Sequence, residues 1–256
     1  MIRGVRGTLV VAAIALTLLQ VPTSAIASAG YSHVVLALGP SAYWRLGETS
    51  GTTAYDASGH GRDATYQGDP TLGLPGAIIG DANTSVGFDG IHDDAVWVPN
   101  STYRGAFTIV AWIANTRHTR REQTFFDTRT ASAEHSFDFK LSSGNLKVDV
   151  GNGRRWFLTG PGIPFDFQLG TWYQVAAVIT RTHAILYVNG RSIGSEPYPY
   201  GTGTPLLFDH AHRVYLATNR RYATERFIGQ MDDVAVYPAS LSAQELATLY
   251  TVGSVG

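Results

Sequence analysis

The chain has 256 residues, of which 44% are hydrophobic and 15% are charged, a globular composition that excludes an intrinsically disordered protein. Its net charge of −1 gives no strong positive field to attract nucleic acid or an anionic membrane. The absence of cysteine excludes disulfide bonds, cysteine-ligated zinc and a thiol nucleophile.

The first 29 residues are predicted to be a signal peptide. Arg3 and Arg6 form a short cationic segment, an apolar run follows at 8–21, and small residues at 25–29 offer a cleavage site. The apolar run is shorter than the roughly 20 residues that a membrane-spanning helix needs. We therefore expect a secreted, extracellular protein made of residues 30–256 as one domain, with no membrane span after cleavage.

Most of the mature chain is predicted to be β-strand. Short segments rich in β-branched and aromatic residues recur between Gly, Pro, Asn, Asp and Ser, as in antiparallel hairpin proteins. In chain order the clearest predicted strands are Ala42–Leu46, Ser85–Phe88, Ala95–Val98, Phe107–Ala114, Phe125–Asp127, Phe137–Leu141, Leu146–Val150, Trp172–Thr180, His183–Val188, Arg213–Ala217 and Phe227–Tyr237. The segment 69–80 is rich in Pro and Gly and is interpreted as one loop.

One helix is predicted, at residues 240–250. Ser242 is a suitable N-cap, and Glu245 three residues later completes a capping box. The apolar stripe that follows consists of Leu246, Leu249 and Tyr250. Because strands do not alternate with helices, the fold class is predicted to be all-β, with two packed antiparallel sheets and one short C-terminal helix. Trp44, Trp112 and Trp172 lie in apolar strands and are expected in the core.

Seven segments follow one another in an order that resembles a known family. They are Tyr43–Glu48, Ala54–Ala64, Val86–Gly90, Phe107–Ile113, Trp172–Val178, Leu186–Gly190 and Ile228–Tyr237. Together they cover nearly all of the mature chain and resemble the laminin-G-like (concanavalin A-like) jelly-roll domains of secreted bacterial proteins. The resemblance implies a two-sheet jelly-roll sandwich with a concave face, a carbohydrate- or protein-binding role and, in many members, a structural calcium ion.

Calcium is also an expectation from the residues, because the ion prefers carboxylate and carbonyl oxygens held in loops. Asp56 lies in a glycine-rich loop and Asp232 near the start of the last strand, which the resemblance places beside the first strand. We predict these two as calcium ligands, with Glu48 and Asp233 as further candidates. The alternative is that Asp56 caps a turn and Asp232 accepts a hydrogen bond from a backbone amide.

Several loops combine arginine with aromatic side chains, as a site for a polysaccharide or other glycan requires. Arginine binds carboxylates and sulfates through two hydrogen bonds, so an acidic glycan is the expected partner if the clusters meet. The candidate ligand-binding residues are Arg154, Arg155, Trp156, Tyr198, Tyr200, Arg220, Arg221 and Tyr222. Further candidates are His210 and His212, which flank a fourth loop, and the segment 117–121, which follows a predicted core strand. The alternative for each cluster is a solvated turn.

Catalysis is the less favoured hypothesis. A retaining glycosidase needs two carboxylates about 5–5.5 Å apart, and the chain has no Glu-x-Asp-x-x-Glu string to supply them. The strand carboxylates Asp127, Asp138 and Asp149 are interpreted as isolated, with Asp138 paired to a lysine two residues later. A polysaccharide lyase would need residues such as His135, Arg121, Tyr173 and Tyr187 to converge. We therefore favour a lectin-like carbohydrate-binding module, with a protein-interaction or adhesion domain that contacts a surface protein as the alternative.

Overall fold

The computed structural model describes residues 30–91, 94–97, 102–129, 135–201, 203–208, 213–219, 221–222 and 224–255. The predicted signal peptide lies outside the described residues. Three candidate binding residues, Arg220, His210 and His212, also lie outside them.

The described residues form two helices and a succession of strands. In chain order they are α1 (Tyr31–Ala37), β1 (Ala42–Trp44), β2 (Thr53–Ala54), β3 (Ala64–Gln67), β4 (Thr71–Pro75), β5 (Thr84–Phe88), β6 (Asp94–Trp97), β7 (Tyr103–Arg104), β8 (Phe107–Asn115), β9 (Gln123–Asp127), β10 (Phe137–Ser142), β11 (Asn145–Gly151), β12 (Trp156–Thr159), β13 (Ile163–Pro164), β14 (Tyr173–Ile179), β15 (His183–Val188), β16 (Arg191–Pro197), β17 (Leu206–Phe208), β18 (Val214–Leu216), β19 (Gly229–Tyr237) and α2 (Ala243–Ser254).

Two large sheets account for nearly all of these strands. Sheet 1 has the order β16, β15, β14, β8, β19, β5, β4, and β1 also pairs with β19. Sheet 2 has the order β12, β11, β10, β9, β18, β6, β3, β2, and β13 also pairs with β11. Strands β7 and β17 form a short separate ladder. The ladders between these strands are antiparallel, which confirms the predicted all-β, two-sheet architecture.

The main core fills the space between the sheets. The alternation of side chains along β8 divides its apolar residues between two clusters, because successive side chains point to opposite faces. Ile109 and Ile113 enter the inter-sheet core, whereas Val110 and Trp112 point to the other side of sheet 1. Across the core, Phe107 of sheet 1 contacts Phe137 of sheet 2 edge to face. Aromatic contacts of this kind bind the sheets together.

The two helices cover the outer face of sheet 1. Tyr31 and Val35 of α1 and Leu246 and Leu249 of α2 are buried in a second apolar cluster with Trp112. The predicted burial of Trp44 and Trp112 in the core is confirmed. Trp172, also predicted in the core, is only partly buried, against this second cluster.

The predicted capping box at α2 is present. The Glu245 N–H donates to Ser242 Oγ at 3.2 Å, and the Ser242 N–H donates to Glu245 Oε2 at 2.6 Å. These bonds satisfy two of the donors left free at a helix start. The helix extends to Ser254, four residues beyond the predicted end.

The prediction of a single helix was wrong, because α1 precedes the sandwich. It has seven residues, begins after Gly30 without a side-chain cap and carries no acidic residue in its first turn. The signals that mark a helix start in a sequence are therefore missing. Packing stabilises it instead, since Tyr31 contacts the Trp112 indole edge to face at 6.2 Å between ring centres.

Strand assignment in the sequence also failed at the sheet edges. The segment 69–80, interpreted as a loop, contains β4, and Trp156, interpreted as part of a turn, begins β12. Edge strands such as β4 expose alternate residues and contain Gly or Pro, which weakens their apolar pattern. Within the described part of the chain, no helix combines the length and apolarity needed to cross a membrane.

Candidate functional site

The outer face of sheet 2 carries a row of carboxylates across three neighbouring strands. Asp127 of β9 is the direct partner of Asp138 of β10, which in turn is the partner of Asp149 of β11. All three are buried. The interpretation of these residues as isolated strand carboxylates was therefore wrong, because strand pairing brings together residues that lie eleven positions apart in the sequence.

Lys140 lies at the centre of this charged row. Its side chain is only 2% exposed, and its Nζ lies 2.6 Å from Glu122, 2.9 Å from Asp149, 3.1 Å from Asp138 and 3.8 Å from Glu225. The predicted pair of Asp138 with a lysine two residues later is thus present, within a larger network. A buried lysine requires such partners, because an unpaired charge in this environment is strongly unfavourable.

The network separates the pKa values of its two strand carboxylates. Burial favours the neutral form of Asp138, but Lys140 and Arg129 outweigh it and hold the pKa of Asp138 below its usual value. Burial, followed by repulsion from Asp138, raises the pKa of Asp149 to about 7. Burial favours the neutral form of Lys140, but the carboxylates of Asp138, Asp149 and Glu122 outweigh it and raise the pKa of the lysine. Because Lys140 fills the space between the two carboxylates, they form an ion network and not an open pair around a glycosidic bond.

Arg129 joins this network to the aromatic rings of two predicted clusters. Its Nη1 lies 2.8 Å from Asp138 Oδ2, and its side chain is only 6% exposed. The guanidinium carbon lies 4.8 Å from the ring centre of Trp156 and 5.1 Å from that of Tyr222. His135 contacts the other part of the Trp156 surface, edge to face at 5.2 Å. Two predicted arginine–aromatic clusters therefore meet around an arginine that the sequence prediction did not include.

Two asparagine-centred turns present the neighbouring arginines. Asn152 Oδ1 accepts hydrogen bonds from the N–H groups of Arg154 and Arg155, each at 3.0 Å. Asn219 Oδ1 accepts from the N–H of Arg221 at 2.9 Å. Asparagine favours such turns because its side chain replaces a backbone acceptor. All three arginines are exposed, so fixed turns hold their backbones while the side chains extend into solvent.

The third predicted cluster divides into a structural and an exposed residue. Tyr198 packs on Phe157 at 5.7 Å and donates its hydroxyl hydrogen bond to the Thr180 carbonyl at 2.8 Å, so it fixes the chain to the sandwich. Tyr200 is exposed. The following residue, Gly201, adjoins the Arg155 guanidinium, whose Nη2 lies 3.5 Å from where a Cβ would be. The Tyr200 turn therefore borders the Arg154–Arg155 turn.

The predicted calcium ligand Asp56 is engaged by backbone donors. Its Oδ1 accepts from the N–H groups of Tyr43 and Ser58, and its Oδ2 accepts from the N–H of Arg62, each at 2.9 Å. Burial favours the neutral form, but the Ser58 hydroxyl and these backbone bonds hold the pKa of Asp56 below its usual value. The turn-capping alternative describes these contacts.

The other predicted ligands occupy two different environments. Glu48 accepts from the Tyr55 N–H and the Tyr66 hydroxyl. Asp232 Oδ2 accepts from the Ala77 N–H at 2.7 Å, the amide contact that was its alternative role. No group of three or more His, Cys, Asp or Glu side chains is arranged to hold a metal in the described ranges. The residues therefore do not fit an ion that all four predicted carboxylates would share.

Asp232 and Asp233 nevertheless form a buried acidic pair. Burial, then repulsion from Asp233, raises the pKa of Asp232 to about 9. Burial also raises the pKa of Asp233 to about 6, although the Tyr43 hydroxyl donates to it and Arg45 Nε lies 3.6 Å from its Oδ1. The second oxygen of Asp233 is buried without a hydrogen-bond partner. Among the four predicted calcium ligands, Asp233 therefore has a buried carboxylate oxygen with no hydrogen-bond partner.

The residues proposed for a lyase do not converge. Tyr187 packs in the cluster beneath the helices, and Tyr173 lies in the inter-sheet core against Phe165 and Phe167. Arg121 lines a small cavity of about 70 Å³ whose walls include the same Phe165 and Phe167. His135 instead lies beside Trp156. Arg121 and Tyr173 thus share neighbours, but the four side chains do not meet in one cleft.

The two antiparallel sheets and the helix-covered face define a concanavalin A-like jelly roll. Residues 78–247 match the Laminin_G_3 family, described as the concanavalin A-like lectin/glucanases superfamily. The chain belongs to this family, which confirms the resemblance seen in the sequence. No curated protein sequence matches the chain.

Solved structures with the same fold come from larger and smaller proteins. The botulinum neurotoxin serotype D ligand-binding domain in complex with N-acetylneuraminic acid is 13% identical with a TM-score of 0.61, over 85% of this chain and 52% of that chain. Domain 4 of AbnA, an extracellular GH43 arabinanase from Geobacillus stearothermophilus in complex with arabinotriose, is 18% identical with a TM-score of 0.58, over 82% and 98%. Trypanosoma rangeli sialidase in complex with sialic acid is 15% identical with a TM-score of 0.58, over 85% and 34%.

The coverage figures limit what these matches show. The chain spans about half of the toxin chain and about a third of the sialidase chain, but nearly all of the arabinanase domain. At these identities the matches establish the shared fold. They do not carry the activity of the larger proteins to this chain.

Proposed function

We propose that this protein is a lectin-like carbohydrate-binding module that binds an acidic glycan on the outer side of sheet 2. The binding surface, called the arginine–aromatic face, consists of Arg129, Arg154, Arg155, Trp156, Arg221 and Tyr222. The observation that carries the proposal is the position of Arg129 between the rings of Trp156 and Tyr222. This contact unites two loops that are separate in the sequence into one surface.

The chemistry of this face suits a carboxylated or sulfated sugar. Arg154, Arg155 and Arg221 are exposed, and Tyr222 is 40% exposed. A guanidinium group forms paired hydrogen bonds to a carboxylate or sulfate, and an aromatic ring offers an apolar surface to a sugar ring. The buried network beneath keeps Arg129 in place through Asp138. The face is therefore positioned before a ligand arrives, which reduces the entropy lost on binding.

The printed ligands of the structural neighbours support a glycan partner. The toxin domain was solved with N-acetylneuraminic acid, and domain 4 of the arabinanase with arabinotriose. Two proteins of this fold were thus solved with a bound saccharide, and one of these two saccharides is acidic. These ligands belong to those proteins, and the residues named above are the reason for proposing an acidic glycan here.

Retention on immobilised polysaccharides tests the proposal. The mature protein should be retained on polygalacturonate and not on neutral dextran, and salt should weaken retention because exposed charges are screened. Trp156→Ala and the double variant Arg154→Ala/Arg155→Ala should each reduce retention at least about tenfold. The matched control is Arg181→Ala/Arg191→Ala, which removes the same charge from two exposed positions elsewhere, the turn between β14 and β15 and the start of β16.

Three results would overturn this function. Equal loss of retention in both double variants would show a general charge effect and not a site on the arginine–aromatic face. No retention on any acidic polysaccharide would favour the alternative, a protein-interaction or adhesion domain. Shortening of the polymer during incubation would indicate an enzyme instead.

We also propose a structural calcium ion at the Asp232–Asp233 pair. The support is geometric: Asp233 Oδ2 is buried without a hydrogen-bond partner, next to a second buried carboxyl group, Asp232. Thermal unfolding should occur at a higher temperature in calcium than in chelator, because a ligand of the folded state stabilises it. Asp232→Asn should abolish this shift. An equal unfolding temperature in both conditions for the unaltered protein would contradict calcium binding.

We propose further that the protein acts outside the cell. The support is the order of features in residues 1–29, a cationic segment followed by an apolar run and small residues. Expression of the full chain should release a protein that begins close to residue 30 into the periplasm or medium, as N-terminal sequencing would show. Retention of residues 1–29 in a cytoplasmic product would contradict export.

A further inference from the structure

A groove lies beside the loop that connects β1 to β2 and the turn after it. It has a volume of about 260 Å³, and we call it the Tyr55 groove; its lining residues are Arg45, Gly47, Glu48, Tyr55, Ala57 and Asn83. Tyr55 directly follows β2, which forms one edge of sheet 2, whereas Trp156 begins β12 at the opposite edge. Seven strand spacings of about 4.8 Å put the two edges roughly 34 Å apart. The groove is thus separate from the arginine–aromatic face.

An exposed aromatic ring on a fixed backbone forms one side of the groove. Tyr55 is 62% exposed, the largest value among the large hydrophobic residues described. The backbone on both sides of its ring is held in place. The Tyr55 N–H donates to Glu48 at 3.0 Å, and the next residue, Asp56, accepts from three backbone N–H groups of the loop. A rigid exposed ring provides a contact surface at little cost in conformational entropy.

Glu48 supplies oriented acceptors. Its Oε1 accepts from the Tyr55 N–H at 3.0 Å, and its Oε2 accepts from the Tyr66 hydroxyl at 2.8 Å. A carboxylate has about four acceptor positions, so each oxygen keeps capacity for a hydroxyl donor from a ligand. Glu48 was predicted as a metal ligand, but these contacts place it in the wall of the groove.

Arg45 supplies oriented donors on another side. Its Nη2 lies 2.6 Å from Asp81 Oδ2, and its Nε lies 3.6 Å from Asp233 Oδ1. The arginine side chain is 29% exposed, so part of the guanidinium faces solvent. At Gly47, an added Cβ would lie 2.0 Å from Asn83 Oδ1. Only glycine therefore lets the Asn83 amide approach this wall.

The charges of the lining residues indicate the class of ligand. The groove contains one cation, Arg45, and one anion, Glu48. An anionic ligand meets repulsion from Glu48 and gains little from Arg45, because Asp81 and Asp233 already balance the charge of that guanidinium. A neutral polyhydroxyl compound avoids this repulsion and satisfies the donor, the acceptor and the aromatic ring together. The apolar lining is limited to Tyr55 and Ala57, too little to anchor the apolar side chains of a peptide.

We propose that the Tyr55 groove is a second saccharide site that binds an uncharged sugar unit. The sugar ring stacks on Tyr55, its hydroxyl groups donate to Glu48, and its oxygens accept from Arg45. The site does not depend on the arginine–aromatic face, because the two lie at opposite edges of sheet 2 and differ in charge, one rich in arginine and the other with one cation and one anion.

Calorimetric titration with neutral trisaccharides tests this site. The probes are arabinotriose, cellotriose and maltotriose, and at least one should bind with a dissociation constant below about 10 mM. Tyr55→Ala should weaken that binding at least about tenfold. Tyr200→Ala is the matched control, because Tyr200 is similarly exposed at 55% but lies outside the groove. Backbone amide NMR signals of residues 45–57 should shift on titration.

Glu48→Gln separates recognition from folding. It keeps one acceptor for the Tyr55 N–H and replaces the other oxygen with an NH2 group that donates to the Tyr66 hydroxyl oxygen, so the fold should be retained while affinity for the sugar falls. Absence of binding by all three probes, or equal affinity of Tyr55→Ala and the unaltered protein, would overturn the second site. Retention of Tyr55→Ala on polygalacturonate should remain unchanged, so the result is distinct from failure of the acidic-glycan proposal.

Discussion

The outer faces of the two sheets differ in what they present. The outer face of sheet 1 carries apolar side chains such as Val110, Trp112 and Val178, and the two helices bury them. The outer face of sheet 2 carries Asp138, Lys140 and other charged residues, and loops and aromatic rings surround them. The same sheet geometry therefore gives one outer face that is buried under helices and one that carries charged and aromatic groups.

The difference shows how a sandwich separates stability from recognition. Helices remove one apolar face from water, and the hydrophobic effect makes that layer stable. Charged groups cannot be buried in this way without partners, so the other face is built from an ion network whose member Arg129 contacts the rings of Trp156 and Tyr222. Changes on the helix side should affect folding alone, whereas changes on the network side should affect both folding and binding.

The largest effect is expected at Lys140. Lys140→Met removes the cation that contacts four carboxylates and leaves Asp138 and Asp149 with less compensation. The free energy of unfolding should fall by about 3–5 kcal/mol, as for other buried ion pairs that lose one partner. Chemical denaturation measures this value.

Lys147→Met is the control for that loss. Lys147 contacts Glu122 and Asp149, but it is more exposed than Lys140 at 12% against 2%. Its replacement should cost about 1 kcal/mol or less, as for pairs near the surface. Equal costs for the two lysines would contradict the central position of Lys140.

The helix side should respond differently. Leu246 of α2 is fully buried in the cluster on sheet 1. Leu246→Ala should lower the free energy of unfolding by about 3 kcal/mol through lost contacts and the cavity left behind. Retention on polygalacturonate, measured well below the unfolding temperature, should not change. A loss of retention by the folded variant would show that the two faces are coupled.

The ion network also predicts a pH dependence. The pKa of Asp149 is about 7 in the folded state, above the usual value near 3.9 in an unfolded chain. Between these values the folded state binds the proton more tightly, so the contribution of Asp149 to stability falls as pH rises from about 4 to 7 and is level above that. The slope is at most about 1.4 kcal/mol per pH unit.

Asp149→Asn tests this contribution. The amide does not ionise, so the advantage of the unaltered protein over the variant should decrease between pH 5 and pH 8. Denaturation curves at several pH values measure the difference. A constant difference across this range would contradict a raised pKa at Asp149.

The smallest expected effect is at the helix start. Ser242→Ala removes the side-chain acceptor of the capping box of α2. The free energy of unfolding should fall by about 1 kcal/mol, and Ser242→Gly should cost less. Thermal unfolding of the two variants shows which of them is less stable. A glycine variant less stable than the alanine variant would contradict the capping role.

Much of the fold could be predicted from the sequence where local patterns were strong. Central strands such as β8 and β15 have dense apolar and β-branched residues, and β15 was predicted with its observed bounds. The strands at the four sheet edges, β2, β4, β12 and β16, were all missed. An edge strand pairs on one side only and exposes more residues, so its sequence resembles a loop.

The binding face could be predicted only in part. Trp156 and Tyr222 were identified because arginine and aromatic residues adjoin in the sequence. Arg129 was missed because its aromatic partners, Trp156 of β12 and Tyr222 of a loop, are distant in the sequence, and no local pattern indicates a contact between residues so far apart. The alignment of Asp127, Asp138 and Asp149 depends on strand register, which hairpin lengths between β9, β10 and β11 indicate only after the strands are known.

The most direct test of the account is to map an acidic oligosaccharide on the folded protein by NMR. On titration with trigalacturonate, the account predicts backbone amide shifts at 152–158 and 219–222 and unchanged signals in α1 and α2. Shifts concentrated in the helices, with none around Trp156 and Tyr222, would contradict the assignment of binding to the outer face of sheet 2.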